Sequence, residues 1–157
     1  MSAPTIPSVL LSRVAATVAL ATAALTATIV APGLTQQASA NPVSIRALKI
    51  AASKQGSPYR WGATGPYSFD CSGLTSYAFR KAGRILPRTA AAQYHRTRHI
   101  SASARRPGDL VFFHHGGYVY HVGVYAGHNR IWHAPRTGTR VRLERIWTRH
   151  VWYGRVR

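Results

Sequence analysis

Acidic side chains are almost missing from this chain: Asp70, Asp109 and Glu144 are the only three among 157 residues. A pair of carboxylates flanking a scissile bond is hard to assemble from so few, which argues against a two-carboxylate glycosidase. Cysteine is scarcer still, with Cys71 alone. A single cysteine cannot close an internal disulfide, so no staple accounts for its presence. The sequence has no H-E-x-x-H, no glycine-rich phosphate loop and no internal repeat, which removes the usual zinc-hydrolase and nucleotide signatures. The residual metal reading is a zinc set of Cys71, His121 and His133, without recognisable ligand spacing.

Basic side chains, in contrast, number 21 and leave a net charge of +18. A protein of this charge density adsorbs to polyanions. Charge by itself does not choose among them, and no motif argues for a specific nucleic-acid partner. The first forty residues help. Arg13 precedes an apolar, Ala-rich run from Val14 to Ala31, followed by Pro32-Gly33 and Ala38-Ser39-Ala40. This is the layout of a secretory signal peptide, with cleavage expected after Ala40. The run is weakly apolar for a permanent membrane anchor. Its removal costs one arginine, so an exported product keeps nearly all its charge, and anionic cell-wall polymers become the nearest partners.

Residues 41–157 then read as one domain. Asn41 and Pro42 supply a helix N-cap and N1, and Gly56 a stop, predicting a helix over 42–55 with Ile45, Leu48 and Ala52 on its apolar stripe. Residues 57–66 are rich in Gly, Pro and aromatics and predict an ordered loop. Asp70 is the N-cap of a second helix, in which Leu74, Tyr77 and Ala78 have i, i+3, i+4 spacing and Gly83 is a stop. A short third helix is expected after Thr89, through Gln93 and Tyr94.

Strands follow, over 110–113, 118–126, 130–134, 140–145 and 150–156. In the second of them alternation places Tyr118, Tyr120, Val122, Val124 and Ala126 on one face, and Val119, His121, Gly123 and Tyr125 on the other. Helices first and about five antiparallel strands afterwards predict an α+β fold.

Cys71 is the first residue of the predicted second helix. The unpaired amides and dipole there favour a thiolate, so a lowered thiol pKa is expected. A cysteine hydrolase also needs a base and a group that orients it. His121, inside a regular strand, is the better base. His133 is the better orienting group, provided the 126–130 hairpin closes around an odd number of residues and puts both rings on one face. Six further histidines are present, His95, His99, His114, His115, His128 and His150, of which His114, His115 and His128 fall at strand ends or turns.

Six blocks carry a resemblance: Tyr59-Arg60-Trp61-Gly62, Phe69-Asp70-Cys71-Ser72-Gly73-Leu74, Leu86-Pro87-Arg88-Thr89, Pro107-Gly108-Asp109-Leu110-Val111-Phe112, His121-Val122-Gly123-Val124-Tyr125 and Ile131-Trp132-His133-Ala134-Pro135. In this order and spacing they resemble the NlpC/P60 peptidoglycan endopeptidases over residues 43–157. The resemblance implies a papain-like fold, with Cys71 as nucleophile, His121 as base and acid, and His133 as the polar third member. The Cys71 backbone N–H is a natural oxyanion donor. The family's usual reaction cleaves the γ-D-glutamyl to diamino acid bond of wall stem peptides, without metal or organic cofactor.

By the same resemblance Tyr59 lies near the scissile bond, though packing against Trp61 would equally explain it. Asp70 and Ser72 match positions that touch the substrate, and Arg88 is placed to pair with a stem-peptide carboxylate in bidentate fashion. These readings imply a monomeric secreted or wall-associated enzyme. Two alternatives stay open at this point: a non-catalytic cationic wall-binding module, and an amidase or acyltransferase on the same fold.

Overall fold

The computed structural model describes residues 41–157, and the signal segment expected over residues 1–40 lies outside them. Helix α1 spans Pro42–Ser53, with Asn41 Oδ1 accepting from the Val43 amide at 3.0 Å. Its fully buried face is Ser44, Ala47 and Ala51; of the expected stripe of Ile45, Leu48 and Ala52, Leu48 packs half-buried against the same core. Small side chains win this position because the backbone of another segment comes in close. A Cβ on Gly108, at φ +89°, would stand 2.4 Å from the Ser44 carbonyl oxygen. Only glycine satisfies both the positive φ and the contact.

Helix α2 spans Cys71–Lys81, with Asp70 as its N-cap accepting from the Gly73 amide at 2.7 Å. Every residue from Ser72 to Phe79 is buried, the signature of a helix enclosed on all sides. Gly73 touches the preceding loop so closely that a Cβ there would lie 2.0 Å from the Ala63 carbonyl oxygen. Helix α3, Ala90–Arg96, starts at Thr89, whose Oγ1 accepts from the Ala92 amide at 3.2 Å. It is tied to α2 by the fully buried Gln93. The two hydrogens of Gln93 Nε2 are shared among Ser72 O, Ser76 Oγ and Pro87 O, all within 3.0 Å, and its oxygen accepts from Thr75 Oγ1.

The six strands are β1 (Arg98–Ile100), β2 (Leu110–His115), β3 (Tyr118–Gly127), β4 (Arg130–His133), β5 (Arg142–Arg145) and β6 (Val151–Arg155). They form one antiparallel sheet in the order β1-β6-β2-β3-β4-β5. Five had been expected. Strand β1 escapes notice in the sequence because Arg98-His99-Ile100 is a short, largely exposed edge, held by its register with β6 (Ile100 opposite Tyr153) and not by an apolar pattern.

One face of the sheet buries Leu110, Phe112, Val119, Val122 and Val124 against Ala47, Ala51, Leu74, Ala78 and Phe79 of the helices. The other buries Val111, Phe113, Tyr125, Ile131, Ile146 and Tyr153. Each fully buried Phe or Leu here stabilises the fold by about 1.5–3 kcal/mol.

Two bulges control β3. Between Phe113 and His114 the register to β3 shifts, from Phe113 opposite His121 to His114 opposite Val119. Tyr120 is the extra residue. The shift turns Val119 onto the helix side with Val122 and Val124, correcting the simple alternation expected from the sequence. At the far end, His128 (φ +48°) and Asn129 (φ +56°) form a two-residue turn of the I′ kind. That loop is even, and on its own would separate the two histidines. A second bulge between Tyr125 and Gly127 adds one residue and restores odd parity.

Candidate active site

Cys71 opens α2, and its thiol faces β3. The backbone amides of Ser72 and Val122 are both directed at the sulfur and favour its ionised form. The Val122 amide is available because the pairing of β4 with β3 reaches only as far as Val124 at this end. His121 is the neighbouring residue on the same strand. Its Nε2 lies 2.8 Å from His133 Nδ1, and His133 Nε2 lies 2.9 Å from Glu144 Oε2. A side-chain chain therefore runs from β3 through β4 to β5, where Arg142 donates to the same Glu144 oxygen at 2.7 Å.

This assembly is dry. His121 is 6% exposed and His133 1%. Trp147 stacks on Phe113 at 4.1 Å between centroids, and its ring lies 5.9 Å from His121 and 5.5 Å from His133. Burial, followed by the charge His133 can carry, pushes His121 down to about 3. Burial also lowers His133, against the opposing pull of Glu144.

The thiol departs from expectation. Burial first, and the Asp70 charge second, raise the Cys71 pKa, outweighing the Ser72 and Val122 amides. The helix start does supply donors to the sulfur, but desolvation of the anion is the larger effect. Burial thus favours the uncharged form of both the Cys71 thiol and the His121 imidazole.

A groove of about 480 Å³ opens over Cys71, with Asp70, Ser72 and Arg88 on one side and Trp61, Tyr118 and Tyr120 among its other lining residues. The Arg88 guanidinium is already engaged. Its Nη1 donates to Asp70 Oδ1 at 3.1 Å and to Ser72 Oγ at 2.9 Å, and its Nη2 donates to Asp70 Oδ2. The bidentate fork expected to hold a substrate carboxylate is thus closed on Asp70. Asp70 in turn accepts from the amides of Gly73 and Gly62, and with the Arg88 contacts these occupy its lone pairs.

Tyr59 packs at the edge of the helix-side core. Its phenol is raised by burial, then by Cys71 and Asp70, with Arg88 opposing, so it stands near Cys71. Trp61, 83% exposed, is not its packing partner.

The zinc alternative fails on donor capacity. Both ring nitrogens of His133 are spent on His121 and Glu144, leaving none for a metal. Among the described residues, no group of three or more His, Cys, Asp or Glu side chains is arranged to hold an ion. Glu144 is the residue that sequence reasoning missed. Its only signal was to be the lone acid in an arginine-rich strand, Arg142-Leu143-Glu144-Arg145.

A cysteine at the start of an enclosed helix, set against an antiparallel sheet that carries the histidine pair, defines the papain-like class of α+β fold. Residues 56–156 match the NlpC/P60 family, and the chain belongs to that family. It is 51% identical over 85 residues to a probable endopeptidase p60 of Listeria welshimeri, covering 54% of this chain and 16% of that protein. With a probable endopeptidase of Corynebacterium glutamicum it shares 44% over 117 residues, covering 74% of this chain and 54% of the other. Among solved structures it resembles the peptidoglycan hydrolase RipB of Mycobacterium tuberculosis, with a TM-score of 0.66 and 28% identity over 73% of this chain and 64% of that one. The chain thus spans from about a sixth to about half of these curated relatives. Among the described residues no helix is long and apolar enough to cross a membrane.

Proposed function

We propose that this protein is an exported cysteine endopeptidase that hydrolyses peptidoglycan stem peptides, at the γ-D-glutamyl to diamino acid bond. The observation that carries the reading is the meeting of the Cys71 thiol with β3 beside the hydrogen-bonded His121–His133 pair. Family membership and the names of the relatives support its coarser part, a peptidoglycan endopeptidase.

With burial favouring the uncharged thiol and imidazole, the proton moves as the sulfur attacks. Cys71 Sγ bonds to the γ-carbonyl carbon while His121 takes the thiol proton. The resulting oxyanion is met by the Cys71 backbone N–H, which the first helical turn leaves without an intrahelical partner. His121 then protonates the departing amine, the C–N bond breaks, and a thioester remains. Water, losing a proton to the same imidazole, releases the acid and restores the thiol.

Tyr59 lines this site beside the sulfur. Asp70, Arg88 and Ser72 form one wall as a pre-paired unit, offering the Ser72 hydroxyl and the outer N–H groups of Arg88 to the peptide. The strongly basic surface holds the enzyme on anionic wall polymers, and the protein acts as a secreted or wall-associated monomer, with residues 1–40 as its leader. No cofactor enters this chemistry.

Cys71→Ala tests the reading. Release of cleaved muropeptides, followed by mass spectrometry, should fall by at least about a thousandfold with the fold retained. An unchanged yield overturns it. Product mass also separates hydrolysis from transfer to a second amine.

A further inference from the structure

We propose that Glu144 is a positioning residue whose carboxylate, acting through His133, fixes which nitrogen of each ring is protonated, so that His121 presents a bare Nδ1 to the thiol. The inference rests on the proposed role of His121 and deepens it.

The protons along this side-chain chain can be counted from its carboxylate end. An ionised carboxylate only accepts hydrogen bonds, so the 2.9 Å contact between Glu144 Oε2 and His133 Nε2 places the hydrogen on that nitrogen. A neutral imidazole has one N–H, which leaves His133 Nδ1 bare. Across the 2.8 Å contact between His133 Nδ1 and His121 Nε2, a second bare nitrogen would set lone pair against lone pair. His121 Nε2 therefore carries the hydrogen and donates. The remaining His121 nitrogen, Nδ1, is left as the acceptor for the S–H proton. It keeps its Nε2–H throughout turnover, taking and returning a single proton at Nδ1.

Glu144 is equipped for this task. Arg142 Nε and Nη2 both reach Oε2 at 2.7 Å, and Arg142, followed by His133, lowers the carboxyl pKa. The groups that face it are His133 from β4 and Arg142 from its own strand. Without Glu144, nothing on the far side of His133 distinguishes its two tautomers. The wrong one would turn a donor toward His121 and pass the error to the base.

The test uses the full chain labelled with ¹⁵N-histidine, together with muropeptide kinetics. In the wild type both His121 and His133 should show the Nε2–H tautomer at neutral pH. Glu144→Ala should lose that fixed tautomer at His133 and lower kcat by about 10–100-fold with KM little changed. Glu144→Gln should restore both, because Arg142 orients the amide with its oxygen where Oε2 stood. An Nδ1–H tautomer in the wild type overturns the proposal, as does a Glu144→Ala enzyme with unchanged tautomers and kcat. The ring tautomers are read without substrate, so they stand apart from the Cys71 result. Full activity in Cys71→Ala would sink the proposed chemistry, whereas opposite tautomers with an inactive Cys71→Ala would sink only the role of Glu144.

Discussion

Holding His121 uncharged makes the fold sensitive to acid, by an amount that can be worked out. The group sits at about 3 in the fold against an ordinary 6.5. Between those values the unfolded chain binds a proton that the folded chain refuses. The contribution to stability is therefore complete above about pH 6.5 and is lost as pH falls towards 3. Each pH unit inside that window removes about 1.4 kcal/mol, so descending from pH 7 to pH 5 costs about 2 kcal/mol from this side chain alone. His133, lowered by burial as well, adds in the same direction. Such a loss is a large share of a domain's typical 5–15 kcal/mol. Urea unfolding followed by tryptophan fluorescence at pH 7, 6 and 5, in the wild type and in His121→Gln, isolates the effect. The variant starts from its own baseline stability, but its slope against pH should be shallower by about one proton. The histidines that do not touch His121 are common to both proteins and cancel. Equal slopes would refute the claim that His121 is kept neutral by burial.

Two further expectations follow from the same geometry. Alkylation of Cys71 by iodoacetamide should be slow at pH 6 and rise about tenfold per pH unit through pH 8, because the thiol is raised by burial and by Asp70; a fast plateau below pH 6 would show a standing thiolate instead. Gly73→Ala should destabilise the domain by about 1–3 kcal/mol in denaturant titration, since its Cβ would meet the Ala63 carbonyl oxygen at 2.0 Å; wild-type stability would mean that the loop yields freely.

Local rules made much of the architecture legible. Asn41-Pro42, Asp70 and Thr89 announce three helix starts, and each cap bond is present. The long apolar strands were equally plain. What stayed hidden depends on partners distant in sequence. Strand β1 exists because β6 lies beside it, and the parity that brings His121 to His133 depends on a bulge that no residue type announces. Arg88 looked free for a ligand because its true partner, Asp70, lies eighteen residues away. The direction of the Cys71 shift was misjudged for a similar reason. Helix position can be read from a few residues, whereas the burial that overrides it is a property of the assembled sheet and helices.

Asp109 also closes on an arginine, accepting from Arg155 at 2.7 and 2.8 Å, so each of the three side-chain carboxylates is matched inward to a cation: Asp70 to Arg88, Asp109 to Arg155, Glu144 to Arg142. The unmatched side-chain charge that remains is all of one sign. An excess of that kind favours adsorption to polyanions. On the proposed reading, arrival at the wall is then a matter of long-range attraction, while alignment on a peptide is left to short-range contact within the groove.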